Sequence, residues 1–430
     1  MRHTNRSILL FWAPLAATWL MMAAEGPFLA AVIARLADPK FNLAAHGVAF
    51  AFAILVEAPV IMLMSAATAL VEDATSYRRL RRFANLLNAG STGLLLFVLI
   101  PPVFDFLMRT AVGLPDEVAD LTYGALWLFL PWPAAIGVRR FLQGVLIRSG
   151  RTRLVAVGTV IRLVAMATTA ATLFVASDLP GAWVGAASLS VAVCVEAVAA
   201  RLMAARTVRE LLAGPAVADP AAGALDTRRI VSFYVPLALT SLLGLTVQPM
   251  LTFFMGRSAS PVESLAVFPV VNALSFLFRA LGLSYQDAAI ALMGREREHV
   301  SELARFGTWL GLSASAGLAL IAFTPLADVW FVTISGLTPE LTAFALPAAR
   351  ILVPLPALSV FLSFLRAVLM KGGDTRPITV ATAIEVAAIA GLFATGGWAL
   401  GLVGVNAAVL AMVGGRAAST GWLAPTLRRT

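Results

Sequence analysis

The chain has 430 residues, of which 60% are hydrophobic and 13% charged, with a mean hydropathy of +0.88. A water-soluble domain keeps about a quarter of its residues charged, so an ordinary soluble fold is excluded. The formal net charge of +9 would suggest nucleic acid in a soluble protein, but here it reads as basic loops at a membrane surface, and no nucleic-acid partner is expected.

Apolar runs long enough to cross a bilayer recur along most of the chain. They are rich in Ala, Leu, Val and Phe without strict alternation, so helices are expected rather than a barrel. The first run, 8–34, passes through Glu25, Gly26 and Pro27 without a cleavage site and reads as a membrane helix, not a signal peptide. It is followed by runs at 44–70, 86–108, 120–147, 154–177 and 181–204. A polar stretch, 206–229, contains Gly214, Pro215 and Pro220 and reads as a cytoplasmic linker. The remaining runs lie at 230–256, 262–293, 304–330, 341–370, 377–397 and 400–423. The expected fold class is therefore all-α integral membrane, with about twelve transmembrane helices. The expected domains are an N-terminal bundle over 1–205, the linker, and a C-terminal bundle over 230–430. Prolines 14, 27, 59, 131, 133, 236, 249, 269, 354 and 356 fall inside the runs and should kink them.

Basic residues sort by loop. Even-numbered loops and the termini hold clusters such as Arg78, Arg79, Arg81 and Arg82, or Arg148, Arg151 and Arg153. The odd-numbered loops hold only Arg35, Lys40, Arg109 and Arg257. The positive-inside rule places both termini in the cytoplasm. Sparse lysine and abundant Ala and Arg suggest a bacterial source, hence the bacterial cytoplasmic (inner) membrane.

The two halves of the chain are related. Residues 11–35, FWAPLAATWLMMAAEGPFLAAVIAR, align without gaps with 233–257, FYVPLALTSLLGLTVQPMLTFFMGR. Pro14 then pairs with Pro236, Pro27 with Pro249 and Arg35 with Arg257. At nearly the same offset Pro131, Pro133, Phe141 and Gly150 pair with Pro354, Pro356, Phe364 and Gly373. Both halves start on the same side, so they are expected to be parallel six-helix repeats, an arrangement suited to alternating access.

These segments resemble the multidrug/oligosaccharidyl-lipid/polysaccharide exporter (MOP) superfamily, which includes the multidrug and toxic compound extrusion (MATE) family. Within it, WAPLAATWLMMAAEGP, HGVAFAFAILVEAP, SFYVPLAL and ARILVPLPALSVFLSFLRAVLMK most resemble the progressive ankylosis (ANK/ANKH) proteins. The resemblance implies a MATE-like, V-shaped pair of bundles, efflux, and an anionic small-molecule cargo such as pyrophosphate, nucleotide or citrate. The chain lacks the long polar C-terminal tail of animal members, ending at Arg428-Arg429-Thr430.

Ionisable groups at membrane depth are costly and are functional candidates. The acids are Glu25, Glu57, Glu196, Asp287 and Glu385; the bases are Arg139, Arg140, Arg162, Arg279, Arg350, Arg366 and Arg416. A basic excess favours an anion, which arginine grips bidentately. The expected substrate-binding residues are Arg279, Arg350, Arg162, Arg139, Arg366 and Gln248. Arg139, Arg140 and Arg366 sit toward the cytoplasmic ends of their helices, where snorkelling to head groups is the alternative. Glu25, beside Gly26-Pro27, and Glu57, before Pro59, are candidates for H+ or Na+ coupling; the alternative for Glu25 is a satisfied buried carboxylate. Arg162 and Glu385 occupy matching repeat positions and suggest a structural ion pair across the cavity. No nucleotide-binding loop, catalytic motif or metal-ligand cluster occurs, so no cofactor, metal or enzyme activity is expected. The rival readings are a MATE-type cation/drug antiporter, a lipid-linked flippase and a non-transporting membrane scaffold.

Overall fold

A computed structural model describes residues 5–214, 226–293, 299–371 and 376–425. The first half contains helices α1 (Asn5–Ala23), α2 (Glu25–Ile33), α3 (Pro39–Glu57), α4 (Leu63–Leu70), α5 (Ala74–Val98), α6 (Pro101–Asp105), α7 (Asp116–Leu128), α8 (Trp132–Arg148), α9 (Thr152–Ala176) and α10 (Gly181–Ala213). The second contains α11 (Thr227–Leu245), α12 (Val247–Gly256), α13 (Pro261–Leu292), α14 (Val300–Phe323), α15 (Leu326–Asp328), α16 (Pro339–Ile351), α17 (Leu355–Lys371), α18 (Arg376–Phe393) and α19 (Gly404–Leu423). The all-α membrane class follows directly, since lipid offers no partner to an unpaired backbone group.

Among the described residues eight helices are long and apolar enough to span a membrane, or up to ten if each of two bent pairs counts as one span. The end of α11 together with α12 forms a shorter apolar helix, Ser241–Gly256. α19 falls outside the set because glycines, Asn406 and Arg416 dilute its apolar content. The central linker is shorter than expected: α10 runs on to Ala213 and α11 opens at Thr227, capped by the Asp226 side chain. Residues 215–225 of that linker, both chain ends, Arg295 and Arg297 lie outside the described residues.

Proline places most of the breaks. The helix is interrupted at Ala24, just before Pro27, and in the matching place at Thr246, just before Pro249. α3 stops at Glu57, and the carbonyl of that residue accepts from the amides of Val60 and Ile61 around Pro59. α7 passes to α8 at Pro131, and α16 to α17 at the matching Pro354, with a 42° bend in the second case. After α5 the chain turns by 76° at Ile100, held extended by the prolines that follow. Pro269 is tolerated inside α13. The duplication also appears in irregular geometry: a π-helical turn over Phe106–Val112 has its counterpart at Val329–Ile334.

The chain packs as two compact units, which are not the two sequence halves. One comprises Met1–Gly47 with Met250–Thr430, the other Val48–Pro249. The first helix of each repeat thus joins the opposite half. In the first unit α1 packs on α13 and α14: Trp12 Nε1 donates to Ser284 Oγ at 2.8 Å, and its ring meets Phe306 edge-on at 5.9 Å. In the second unit Tyr234 of α11 stacks edge-on against Phe83 of α5 at 5.0 Å, and its hydroxyl donates to the carbonyl of Pro59. Trp12 and Tyr234 are repeat counterparts, so the same aromatic peg fixes the exchanged helix in each unit. Small residues permit close crossings, as expected where lipid supplies no hydrophobic drive between helices. A Cβ on Gly144 of α8 would meet the Met64 carbonyl of α4 at 2.4 Å, and one on Gly415 of α19 would meet the Glu385 carbonyl of α18 at 2.9 Å.

Trp12→Ala removes the peg and its hydrogen bond, and should cost about 3 kcal/mol. Trp12→Phe should retain most of the stability. Midpoints of detergent-solubilised unfolding for the two variants check this; equal midpoints would deny the peg its role.

Candidate charged sites within the two units

In the second unit, Glu196 of α10 has no exposed surface. A buried carboxylate is tolerated only when paired and hydrogen-bonded, and three side chains supply this. Arg139 Nη1 of α8 lies 2.6 Å from Glu196 Oε2, Gln143 Nε2 donates to Oε1 at 3.1 Å, and Arg162 Nε of α9 stands 3.3 Å from Oε2. The i, i+4 spacing of Arg139 and Gln143 puts both on one face of α8. Nearby, Glu57 is 8% exposed and accepts from Trp132 Nε1 at 2.5 Å. Arg140, Arg139 and Arg162 are the cations whose fields reach it. Among the described residues Arg140 reaches Met64 Sδ, at 3.8 Å, and its Nε is buried without a hydrogen-bond partner.

In the first unit, Arg416 of α19 donates from Nε to Glu385 Oε1 of α18 at 2.8 Å and from Nη1 to Ser359 Oγ of α17 at 3.0 Å. Arg366 of α17 reaches Thr382 Oγ1 at 3.3 Å. Arg279 of α13 reaches Asn272 Oδ1 at 3.3 Å and lies over the Phe276 ring at 5.7 Å. Both feel the charges of Arg416 and Glu385, and both have a buried Nε with no partner. This cluster therefore holds three arginines and one carboxylate. The other holds three arginines and two carboxylates.

The expected Arg162–Glu385 pair is replaced by two local ones. Each residue finds its partner on the next helix of its own half: Arg162 with Glu196, Glu385 with Arg416. The two positions do match in the repeat, so the same inter-helix ion pair occurs twice with its polarity reversed. At the offset that joins Pro14 to Pro236, Glu57 likewise corresponds to Arg279. Arg139 is the closest partner of Glu196, which neutralises its charge. Arg350 is exposed on the last turn of α16, donates to the Ala322 carbonyl at 3.1 Å and covers the Phe323 ring. It serves the C-terminus of α14, where cations are favoured. Glu25 opens α2 at the first helix break and is half-buried; its counterpart opening α12 is Val247, and Gln248 follows it, beside Pro249. Asp287 accepts from the Trp19 side chain.

Arg140 was not among the expected binding residues, because sequence alone could not separate it from snorkelling neighbours. The usable signal was the adjacent pair Arg139-Arg140: on one helix they point apart, so one partner cannot serve both. The odd-loop cations are engaged structurally. Arg109 is clasped by Asp105, Asp116 and Asp120, and Lys40 by Glu263 at 2.7 Å and Glu340 at 3.5 Å. No group of three His, Cys, Asp or Glu side chains is placed to hold a metal among the described residues.

No protein-family model and no curated protein matches the chain. Solved structures do. An inward-facing multidrug resistance MATE family transporter of the MOP superfamily superposes with a TM-score of 0.75 at 16% identity, covering 97% of each chain. The fold is MATE-like. The lipid II flippase MurJ, in an inward closed conformation, shares the fold at a TM-score of 0.74 and 13% identity, over 98% of this chain and 87% of MurJ. A third similar MATE-like structure is a MOP superfamily transporter from Pyrococcus furiosus Vc1 (DSM3638), whose binding pocket is described as having reverse polarity, suggesting a different function. It superposes with a TM-score of 0.66 at 15% identity, over 99% of this chain and 97% of that one.

Arg416→Met leaves the Glu385 carboxylate without its cation and should destabilise by about 3–5 kcal/mol. Adding Glu385→Leu should recover most of that loss, because no charge then remains to solvate. A double-mutant cycle on unfolding midpoints checks this; simple additivity would count against the pair.

Proposed function

We propose that the chain is a secondary transporter, not an enzyme, that exports a small organic or phosphate-containing anion by alternating access. Pyrophosphate, nucleotide and citrate-like cargoes fit the ankylosis-type resemblance. The carrying observation is that Arg140, Arg279 and Arg366 lie in spanning helices with no carboxylate within 4.0 Å among the described residues. An arginine at membrane depth costs at least about 2.5 kcal/mol, and a bidentate phosphate or carboxylate is the ligand that offsets it. Arg139, Arg162 and Arg416 are occupied by glutamates, so the three under-paired arginines are the anion-binding candidates. The polarity reported for the Pyrococcus furiosus transporter shows that a MOP superfamily member need not keep the binding-pocket polarity of its relatives. The proposed setting is the bacterial cytoplasmic membrane, with both termini in the cytoplasm and the basic loops on that side.

A second reading is favoured by Glu57, a buried carboxylate at a helix break, and by the likeness to multidrug MATE structures. In that reading Glu57 and Glu25 take up H+ or Na+ and the cargo is a cation or drug. A lipid-linked cargo, as the MurJ likeness suggests, and a non-transporting scaffold are the remaining outcomes.

Proteoliposome flux separates them. Labelled pyrophosphate, ATP and citrate, and separately a cationic dye, are followed with and without an imposed pH gradient. Saturable anion flux is expected to fall roughly 10- to 100-fold in Arg279→Ala and Arg366→Ala, the loss of one charged hydrogen-bonding group. Arg350→Ala should stay within about twofold, since that side chain caps a helix. Dye flux alone, abolished in Glu57→Gln, would transfer the assignment to cation antiport. Absence of both fluxes would leave the lipid cargo or the scaffold.

A further inference from the structure

Each repeat carries a groove in the same place. In the unit Val48–Pro249, α5, α8 and α10 enclose a cavity of about 270 Å³; in the other, α14 and α17 enclose one of about 320 Å³. Their linings are in register at the offset joining Pro131 to Pro354: Asn85 with Thr308, Asn88 with Gly311, Phe141 with Phe364. The chemistry differs. Arg81 stands where the other groove has Ala304, and α10 adds Arg201 and Arg209, while no charged residue lines the second groove. The shared scaffold therefore does not require these cations.

Three further observations define what the basic groove takes. Among the described residues no carboxylate lies within 4.0 Å of Arg81, Arg201 or Arg209. Their internal contacts are weak: Arg81 reaches the Tyr77 hydroxyl at 3.4 Å and Arg209 the Ala205 carbonyl at 3.4 Å. Finally, the groove adjoins lipid-facing surface: Leu86 beside Asn85 is 74% exposed, and Leu202 beside Arg201 is 72% exposed. Leucines that bare belong against acyl chains, so the arginines stand at the edge of the bilayer.

We propose that this groove binds the head group of an anionic phospholipid. The phosphate sits among Arg81, Arg201 and Arg209, which offer planar forked donors. Phosphatidylglycerol carries the net negative charge that these arginines select; phosphatidylethanolamine carries none. A soluble glycerol phosphate shares the polar chemistry but gains nothing from the adjoining apolar surface. The site is independent of what the protein carries.

Native mass spectrometry of the full-length protein, released from micelles with equal phosphatidylglycerol and phosphatidylethanolamine, tests this. Preferential retention of phosphatidylglycerol is expected, dropping at least about fivefold in Arg81→Ala/Arg201→Ala/Arg209→Ala. A charge-matched control, Arg78→Ala/Arg82→Ala/Arg228→Ala, removes exposed arginines outside the groove and should retain the lipid. Arg81→Ala/Asn85→Thr, which reproduces the packing of the other repeat, should also lower retention and guards against misfolding of the triple variant. Equal losses in variant and control, no preference between the lipids, or binding of glycerol 3-phosphate without lipid retention would each overturn the proposal.

Discussion

Glu196, shut away from any solvent, sets conditions that much of its unit has to meet. A lone carboxylate in that position would cost several kcal/mol, so α8 must present Arg139 and Gln143 on one face and α9 must bring Arg162 to the same oxygen pair. Three helices are thereby fixed in rotation as well as in distance. In the other unit Arg416 holds Glu385 and Ser359 and does the same for α17, α18 and α19. Packing of small residues lets the backbones approach, as at Gly415, and the ion pair then selects one rotation from the several that small residues alone would allow.

The duplicated chain keeps its backbone features and redistributes its charges. Helix breaks, π-helical turns and the aromatic peg of the exchanged first helix recur at matching positions. The charges do not: at matching repeat positions arginine corresponds to glutamate (Arg162 and Glu385) and glutamate to arginine (Glu57 and Arg279). The first swap is tolerated because neutralisation is local, on the neighbouring helix. The scaffold constrains shape, and the polarity of the interior is free to be set by function. That freedom lets one fold serve different cargoes, and here it leaves more cations than anions in both clusters.

The under-paired arginines and the basic groove belong to opposite regimes of the same electrostatics. Arg140, Arg279 and Arg366 lie in spanning helices with their Nε atoms buried, where desolvation of a charge is costly. Arg81, Arg201 and Arg209 are exposed beside lipid-facing leucines, where the cost is small and attraction to anionic head groups is long-ranged.

Composition, run length and the spacing of prolines were enough to establish an all-helical membrane protein with an internal repeat, because backbone satisfaction in lipid leaves almost no other solution. Paired prolines such as Pro27/Pro249 and Pro131/Pro354 also marked the helix breaks, since a missing amide acts wherever the residue stands. The pairing of charges was not legible. Arg139 and Arg140 are adjacent in sequence, yet one is bound to Glu196 and the other is not; Arg350 looked buried and is exposed. Nor could the sequence show that the first helix of each repeat packs with the opposite half, because its apolar faces suit either bundle. Those outcomes depend on helix rotation and on which helices become neighbours, properties of the packed chain that no run of residues carries by itself.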